Sequence, residues 1–203
     1  MRCKIPTLSL AGASALLAVA ACAGETPTEA RGTAAPHAHT PDFINAAPEV
    51  RAKLLELRRW SAPFHNLAKA AEAGYGVNFG CVDESMTGVP RELARGMGHH
   101  VGGGTDGLAY VLDGVIDIDQ PEFLVYAPAR AGGGLETARL VGFDYFLPDP
   151  TPENSLQPDP ILGTEFVYNP GFDGWMAHIY LWGHNPEGMF ENWNASVPLC
   201  TAE

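Results

Sequence analysis

The spacing of apolar residues changes three times along the chain. Residues 8–21 contain only Leu, Ala, Val, Ser and Gly, whereas residues 23–44 show no apolar periodicity. Apolar side chains then recur at helical spacing as far as residue 74. From residue 76 onward they occur in short runs bounded by Gly, Pro and Asp, which is typical of strands. This order predicts an α+β domain in which N-terminal helices pack on one face of a largely antiparallel β-sheet.

Two helices are predicted at the start of this domain. Pro48 suits the first turn of a helix whose apolar residues recur every three or four positions up to Trp60. Ser61 is the expected N-cap of a second helix, because Pro63 lies just inside it. Gly74 is expected to end that helix.

Strand signals occupy most of the remaining chain. The residues after the apolar-poor segment, 45–203, are enough for a single domain with a full core. Residues 148–160 hold five prolines and predict a surface loop. The strand candidates are residues 76–82, 99–101, 108–112, 122–127, 138–147, 166–168 and 175–182.

Alternation within residues 122–127, 138–147 and 175–182 separates two kinds of face. One face of each strand is apolar and suited to cover by a helix. The other carries a histidine or a carboxylate beside aromatic side chains, where a solvent-facing strand would normally show Lys, Thr, Ser or Glu. Such a face is typical of a pocket wall. The residues expected to line the pocket are His99, Tyr126, Tyr180, Trp182 and His184.

Two histidines and two carboxylates form the candidate site. His99 and His100 are adjacent, and neighbours on a strand point to opposite faces, so one of them is expected to enter the pocket. His100 (or His99), Glu122, Asp144 and His178 make a set that suits Zn, Mn, Fe or Ni. A divalent transition metal ion, a metal-free pocket for a small molecule and a hydrogen-bonded core without a site are the three alternatives.

Residues 1–21 resemble a lipoprotein signal peptide. Arg2 and Lys4 precede the apolar run, which is too short to remain in a bilayer as a spanning helix. Small residues directly before Cys22 resemble the bacterial lipobox, where the signal is cut before a Cys that receives lipid. The resemblance implies an exported protein anchored in the cell envelope. It implies the outer membrane in a Gram-negative bacterium, because Ala23 rather than Asp follows the Cys. Ordinary secretion with Cys22 as a free thiol is the alternative.

The segment after the signal predicts a tether. Residues 22–44 comprise the lipidated Cys and a stretch rich in Ala, Pro, Thr, Gly and Glu, which suits a flexible linker. The net charge of the whole chain is −12, and loss of the signal makes it two units more negative. Such acidity argues against nucleic acid and against anionic headgroups as partners. The expected partners are the membrane, through the lipid anchor, and a metal ion or small ligand.

Cys81 and Cys200 are the two cysteines left once Cys3 departs with the signal and Cys22 carries the anchor. An even pair in an oxidising compartment predicts a disulfide. Two separate buried thiols are the alternative. Neither residue has a second Cys or His two to four positions away, which argues against a metal site on them.

Five short motifs together resemble a group of exported bacterial proteins of uncharacterised function, and the resemblance covers residues 65–200. It implies no activity and no catalytic residues. Members often carry Glu where this chain has Asp144 and Tyr where it has Val101. The motifs are GMGHHV at 96–101, PEFLVY at 121–126, LVGFDY at 140–145, AHIYLW at 177–182 and NPEGMF at 185–190.

The sequence supports a site and leaves the reaction open. No Ser–His–Asp arrangement, P-loop or GxGxxG signature supports an enzyme class. The leading interpretation is a membrane-anchored lipoprotein with a His/carboxylate/aromatic pocket that binds a divalent metal ion or a small ligand. His178 as a general base and water activated by a metal are two routes to catalysis. The alternative is a non-enzymatic envelope protein that binds a protein or glycan partner through its aromatic face.

Overall fold

The computed structural model describes residues 43, 45–104, 109–151 and 155–200. The predicted signal peptide, the predicted lipidation site at Cys22 and almost all of the predicted tether therefore lie outside the described residues. Across those described ranges, no helix has the length and apolar character needed to cross a membrane.

The N-terminal part of the domain is helical. Helix α1, Pro48–Ser61, starts at the proline and is followed by a 3₁₀ turn, Ala62–His65, and by helix α2, Leu67–Glu72. The expected N-cap at Ser61 is wrong, because the Ser61 hydroxyl donates to the carbonyl of Leu57 at 2.7 Å inside α1. Asn66 caps α2 instead, since its side-chain oxygen accepts from the amide of Ala68 at 2.9 Å.

Six strands form one sheet in which all neighbours are antiparallel and the spatial order is β1-β2-β3-β4-β6-β5. The α+β prediction, with helices first and a largely antiparallel sheet afterwards, is confirmed. The strands are β1 Val77–Asp83, β2 Gly96–Gly102, β3 Phe123–Ala127, β4 Arg139–Pro148, β5 Val167–Asn169 and β6 Gly174–Ile179.

The strand expected at residues 108–112 is wrong as far as the structure describes it. Residues 109–112 form a turn, and residue 108 lies outside the described residues. The apolar character of this run has another cause. Tyr110 packs edge-on against Tyr75 with the ring centroids 6.2 Å apart, and Val111 is buried with Phe123. These side chains fill gaps beside the sheet without joining its hydrogen-bond ladder.

The two faces of the sheet are covered differently. The helical segment buries Leu54, Leu57 and Phe64 in the largest core cluster, together with Leu124 and Phe143 from the sheet. The opposite face carries two smaller clusters, one around Val125, Val141 and Tyr180 and one around Phe123, Phe146 and Met176. The candidate site lies on this second face.

A disulfide joins Cys81 on β1 to Cys200, with the Cα atoms 5.4 Å apart, so the predicted bond is confirmed. Asp83 supports the same junction from the end of β1. One of its carboxylate oxygens accepts from the amide of Cys200 at 2.8 Å, and the other accepts from the amide of Ser85 at 3.0 Å. The C-terminal segment is thereby held beside the face that carries the site.

Candidate metal centre

Three strands bring the candidate ligands together. Asp144 on β4 lies directly opposite His178 on β6, and residues opposite each other in an antiparallel pair share a face. His100 lies on β2, which is separated from β4 by β3. Two strands so placed are about 9–10 Å apart, so His100 and Asp144 reach towards each other above β3. The site is therefore formed by residues from three strands on one face of the sheet, and not by a single sequence motif.

The ligand atoms form a nearly equilateral triangle. The Nε2 atoms of His100 and His178 are 3.4 Å apart. Asp144 Oδ2 lies 3.6 Å from the Nε2 of His100 and 3.5 Å from that of His178. An ion held tetrahedrally about 2.0–2.2 Å from such donors separates them by about 3.3–3.6 Å. The triangle therefore has the dimensions of one face of a tetrahedral metal site.

A hydrogen bond at Nδ1 of each imidazole ring fixes the tautomer and leaves Nε2 free to bind an ion. His100 Nδ1–H donates to the carbonyl of Gly98 at 3.1 Å, and His178 Nδ1–H donates to the side-chain oxygen of Asn192 at 3.2 Å. Both acceptors lack a proton to give, so each neutral ring keeps its proton on Nδ1 and presents a lone pair from Nε2. Metal-binding histidines are held in this way by carbonyl and carboxylate groups.

Burial shifts the pKa values of the three side chains in the directions that favour their neutral forms. The exposed fractions are 3% for His100, 0% for Asp144 and 1% for His178. Burial lowers the pKa of His100 to about 4 and that of His178 to about 3, so neither ring is a cation at neutral pH. Burial also raises the pKa of Asp144 well above its usual value. Neither carboxylate oxygen of Asp144 accepts a hydrogen bond of good geometry, although the backbone of Ala177 partly offsets the rise in the pKa.

These facts together describe a group that can hold a metal ion. Two lone pairs and a carboxylate oxygen point at one another without a proton donor between the two imidazoles. The raised pKa of Asp144 favours its neutral acid when no ion is bound, but a single acid proton cannot serve both imidazole lone pairs, whereas a cation at the centre of the triangle satisfies all three groups. Imidazole nitrogen beside one carboxylate suits a transition ion such as Zn or Fe better than Mg or Ca, which prefer oxygen ligands.

Two spaces adjoin the site on the same face of the sheet. An apolar cavity of about 240 Å³ is lined by His100 together with the rings of Phe123 and Phe146. A larger groove of about 550 Å³ is lined by His178 and Asn192. Val82, Phe172 and Met176 line both spaces.

Glu122, the fourth predicted ligand, does not belong to the group formed by His100, Asp144 and His178. Its Oε2 atom accepts from the amide of Phe146 at 3.0 Å. Burial raises the pKa of Glu122 to about 8. Glu122 immediately precedes β3 and alternates with the residues of that strand that face the site, so it is directed away from the three ligands.

Three residues predicted for the pocket lie on the helical face or against the helices. The His99 ring contacts the carbonyl of Gly133 at 3.0 Å, so His100 rather than His99 enters the site. The hydroxyl of Tyr126 donates to the carbonyl of Phe64 at 2.7 Å. Trp182 Nε1–H donates to the hydroxyl of Ser61 at 3.0 Å. Aromatic residues on this side are structural contacts between sheet and helices.

Tyr180 is the predicted pocket residue that contacts a candidate ligand. Its ring stacks on that of His178, with the centroids 6.3 Å apart and the planes 19° from parallel. Its hydroxyl donates to the backbone carbonyl of Asn192 at 3.2 Å, so it also steadies the segment that orients His178. His184, in contrast, is exposed. Because Tyr126 and Tyr180 are both buried, the predicted aromatic residues form no common surface patch.

Asn192 is the residue of the site that sequence reasoning missed. It follows the NPEGMF motif in an irregular segment, where no periodicity assigns a direction to a side chain. The only signal available was its closeness in the chain to the motif, which does not distinguish a support for His178 from ordinary tail packing.

No family model, no curated protein and no solved structure matches the chain. The resemblance to exported bacterial proteins stays a prediction.

Proposed function

We propose that this chain is an exported, lipid-anchored protein that holds one divalent transition metal ion on His100, Asp144 and His178. The observation that carries the proposal is the triangle of 3.4–3.6 Å between three buried ligand atoms. Asp144 adds to it, since a fully buried carboxyl group without a hydrogen bond of good geometry is costly to ionise unless a cation lies beside it. Both imidazoles are already held in the tautomer that binds metal.

Three protein ligands leave coordination positions open. Structural zinc sites usually have four protein ligands, whereas catalytic ones keep a position for water or substrate. Two histidines and one carboxylate also form the facial set that binds non-haem Fe(II). An ion in this site would act as a Lewis acid towards a molecule in the adjoining spaces. The proposed role is therefore to bind and polarise a small molecule, rather than to hold the fold together.

Metal analysis of the protein, purified without chelator, tests the proposal. We expect one ion per chain in the wild type or after addition of Zn²⁺ or Co²⁺, and none in His178→Ala because one of three ligands is lost. His184→Ala is the matched control, since His184 is exposed and lies outside the ligand group. If the wild type neither retains nor takes up an ion, the proposal is wrong.

The lipid anchor is supported by the residues before Cys22, and export is supported by the disulfide. Disulfides form and persist in oxidising compartments outside the cytosol, which agrees with export. Metabolic labelling with palmitate tests the anchor. We expect the wild type and Cys3→Ser, which lies within the signal, to take up the label, and Cys22→Ser to take up none. Equal labelling of Cys22→Ser and Cys3→Ser would contradict lipidation at Cys22.

A further inference from the structure

The cavity adjoining His100 is apolar, although it lies beside a candidate metal site. Its walls are aromatic and aliphatic, and none of its lining residues carries a formal charge. His100 is the one lining residue with a polar ring, and its imidazole contacts Phe123 edge-on, with the centroids 5.7 Å apart. A molecule in this cavity therefore lies against apolar side chains and next to a ligand of the proposed ion.

The net charge of the proposed metal centre indicates the charge that a molecule bound to it must carry. A divalent ion bound to two neutral imidazoles and one carboxylate leaves one positive charge. That charge is buried, because the three ligand side chains are at most 3% exposed. A buried charge without a partner is costly, and a monoanion at the open coordination position neutralises it.

The size of the cavity limits the apolar part of the molecule. About 240 Å³ is below the usual range of about 300–1,000 Å³ for drug-sized ligands. The rings of Phe79 and Phe123 meet edge-on at 5.1 Å, and those of Phe123 and Phe146 lie 6.1 Å apart. A single aromatic ring or a short branched chain suits this space and can make the same edge-to-face contacts.

Access from solvent passes three partly exposed side chains. Phe79 is 44% exposed, Phe172 is 47% exposed and Leu112 is 63% exposed, and all three line the cavity. They form an apolar rim on a strongly acidic chain. The acidity of the chain does not attract an anion from a distance, so recognition depends on the ion and on burial of the apolar body.

We infer that this cavity binds the apolar body of a small monoanion, of the aromatic or branched-chain carboxylate class, whose charged group completes the coordination of the ion. The inference rests on the proposed function, because the anionic group is recognised by the metal. It adds the class of ligand, which the three metal ligands alone do not specify.

Titration of the Co²⁺-loaded protein with benzoate tests the inference, with the visible absorption of Co²⁺ as the readout. We expect benzoate to change the spectrum at a concentration about tenfold or more below that needed for acetate, because the phenyl ring is buried. Benzyl alcohol, which has the ring without the charge, is expected to leave the spectrum unchanged.

A matched pair of variants locates the binding. Leu112→Glu places a carboxylate on the rim, and we expect it to weaken benzoate binding about tenfold through repulsion while Co²⁺ content is unchanged. Leu93→Glu makes the same substitution at an exposed residue outside the cavity lining and is expected to bind as the wild type does.

The outcomes distinguish this inference from the proposed function. If Co²⁺ binds and benzoate is no better than acetate, the ligand class is wrong and the metal site stands. Equal binding of benzoate by the Leu112→Glu and Leu93→Glu variants would also overturn the inference. If Co²⁺ itself does not bind, the metal site fails and the inference fails with it.

Discussion

Asp144 is the side chain whose surroundings are least favourable without an ion. It is fully buried, and neither carboxylate oxygen accepts a hydrogen bond of good geometry. An unsatisfied buried polar group costs about 1–3 kcal/mol, and a charged one costs more. Asp144 lies in the middle of β4 and destabilises the fold by that amount. Such a residue is easier to understand as a metal ligand than as part of the core.

Replacement of Asp144 by Val is therefore expected to raise the free energy of unfolding of the metal-free protein by about 1–3 kcal/mol. The same variant should lose the stabilisation that added Zn²⁺ confers on the wild type, since one ligand is gone. Chemical denaturation with chelator and with Zn²⁺ measures both effects. A variant that is less stable than the wild type in chelator would show that Asp144 supports the fold in its own right.

The raised pKa of Glu122 implies that the stability of the fold depends on pH. Burial, assisted by the nearby carboxyls of Asp113 and Asp117, raises its pKa from 4.5 to about 8. A raised carboxyl pKa contributes stability that is fully present below pH 4.5 and is lost as the pH rises to 8.

Between pH 5 and pH 8 we expect the wild-type unfolding free energy to fall relative to that of Glu122→Gln by about 1.4 kcal/mol per pH unit at most. Denaturation in chelator across this range measures the difference, which includes the part of the raised pKa of Asp144 that the charge of Glu122 causes. Parallel pH profiles would mean that Glu122 does not titrate differently on folding. The amide oxygen of Gln can still accept from the amide of Phe146, which limits other effects of the substitution.

At the level of the strands, the contact of β4 with β6 sets the position of two ligands. Gly142 lies two residues before Asp144, and a Cβ atom placed on it would be 2.2 Å from the carbonyl oxygen of Ile179. The close approach of the two backbones therefore requires glycine at this position. Asp144 and His178 depend on the same strand pairing.

Gly142→Ala is expected to lower the free energy of unfolding by about 2 kcal/mol or more, because the backbone of β6 must move away. It should also weaken Co²⁺ binding, since Asp144 and His178 separate with the strands. Gly76→Ala is the control, as a Cβ atom there meets nothing within 4 Å. Denaturation and Co²⁺ titration check both effects, and equal stability of the two variants would contradict the expectation.

Across the whole molecule, the disulfide connects residues 119 positions apart. The bond restricts the unfolded chain, and for a loop of this length the chain-entropy model predicts about 4–5 kcal/mol of stabilisation. We expect the Cys81→Ala/Cys200→Ala double variant to lose about this amount in denaturation experiments. Reducing agent should destabilise the wild type and leave the double variant unchanged. A wild type that is indifferent to reduction would contradict this role.

The sequence predicted the class of fold and most of the strands because those depend on local patterns. Alternation in residues 138–147 and 175–182 also placed Asp144 and His178 on faces that differ from the apolar ones, as the structure has them. The same reasoning put Glu122 and Tyr126 on the site side of β3. Alternation shows which residues of one strand share a face. It does not show which of the two faces lies on the same side of the sheet as a given face of the next strand.

Register and strand order decided that question. Phe123 and Val125 lie opposite Asp144 and His100, so the apolar alternate positions of β3 face the site. A shift of one residue in pairing would have exchanged the two faces, and nothing local to β3 specifies the register. Asn192 and the apolar cavity likewise depend on the return of the chain to the sheet after β6.

The chain by itself thus predicted the helices-then-strands order, the disulfide pair and, apart from the choice between His99 and His100, the three residues of the candidate site, since periodicity and composition are properties of short segments. Tertiary structure alone decided that His100, Asp144 and His178 meet within 3.4–3.6 Å while Glu122 does not. The reason is physical: a ligand triangle drawn from three strands is set by pairing between residues distant in the chain, and no local pattern encodes that distance.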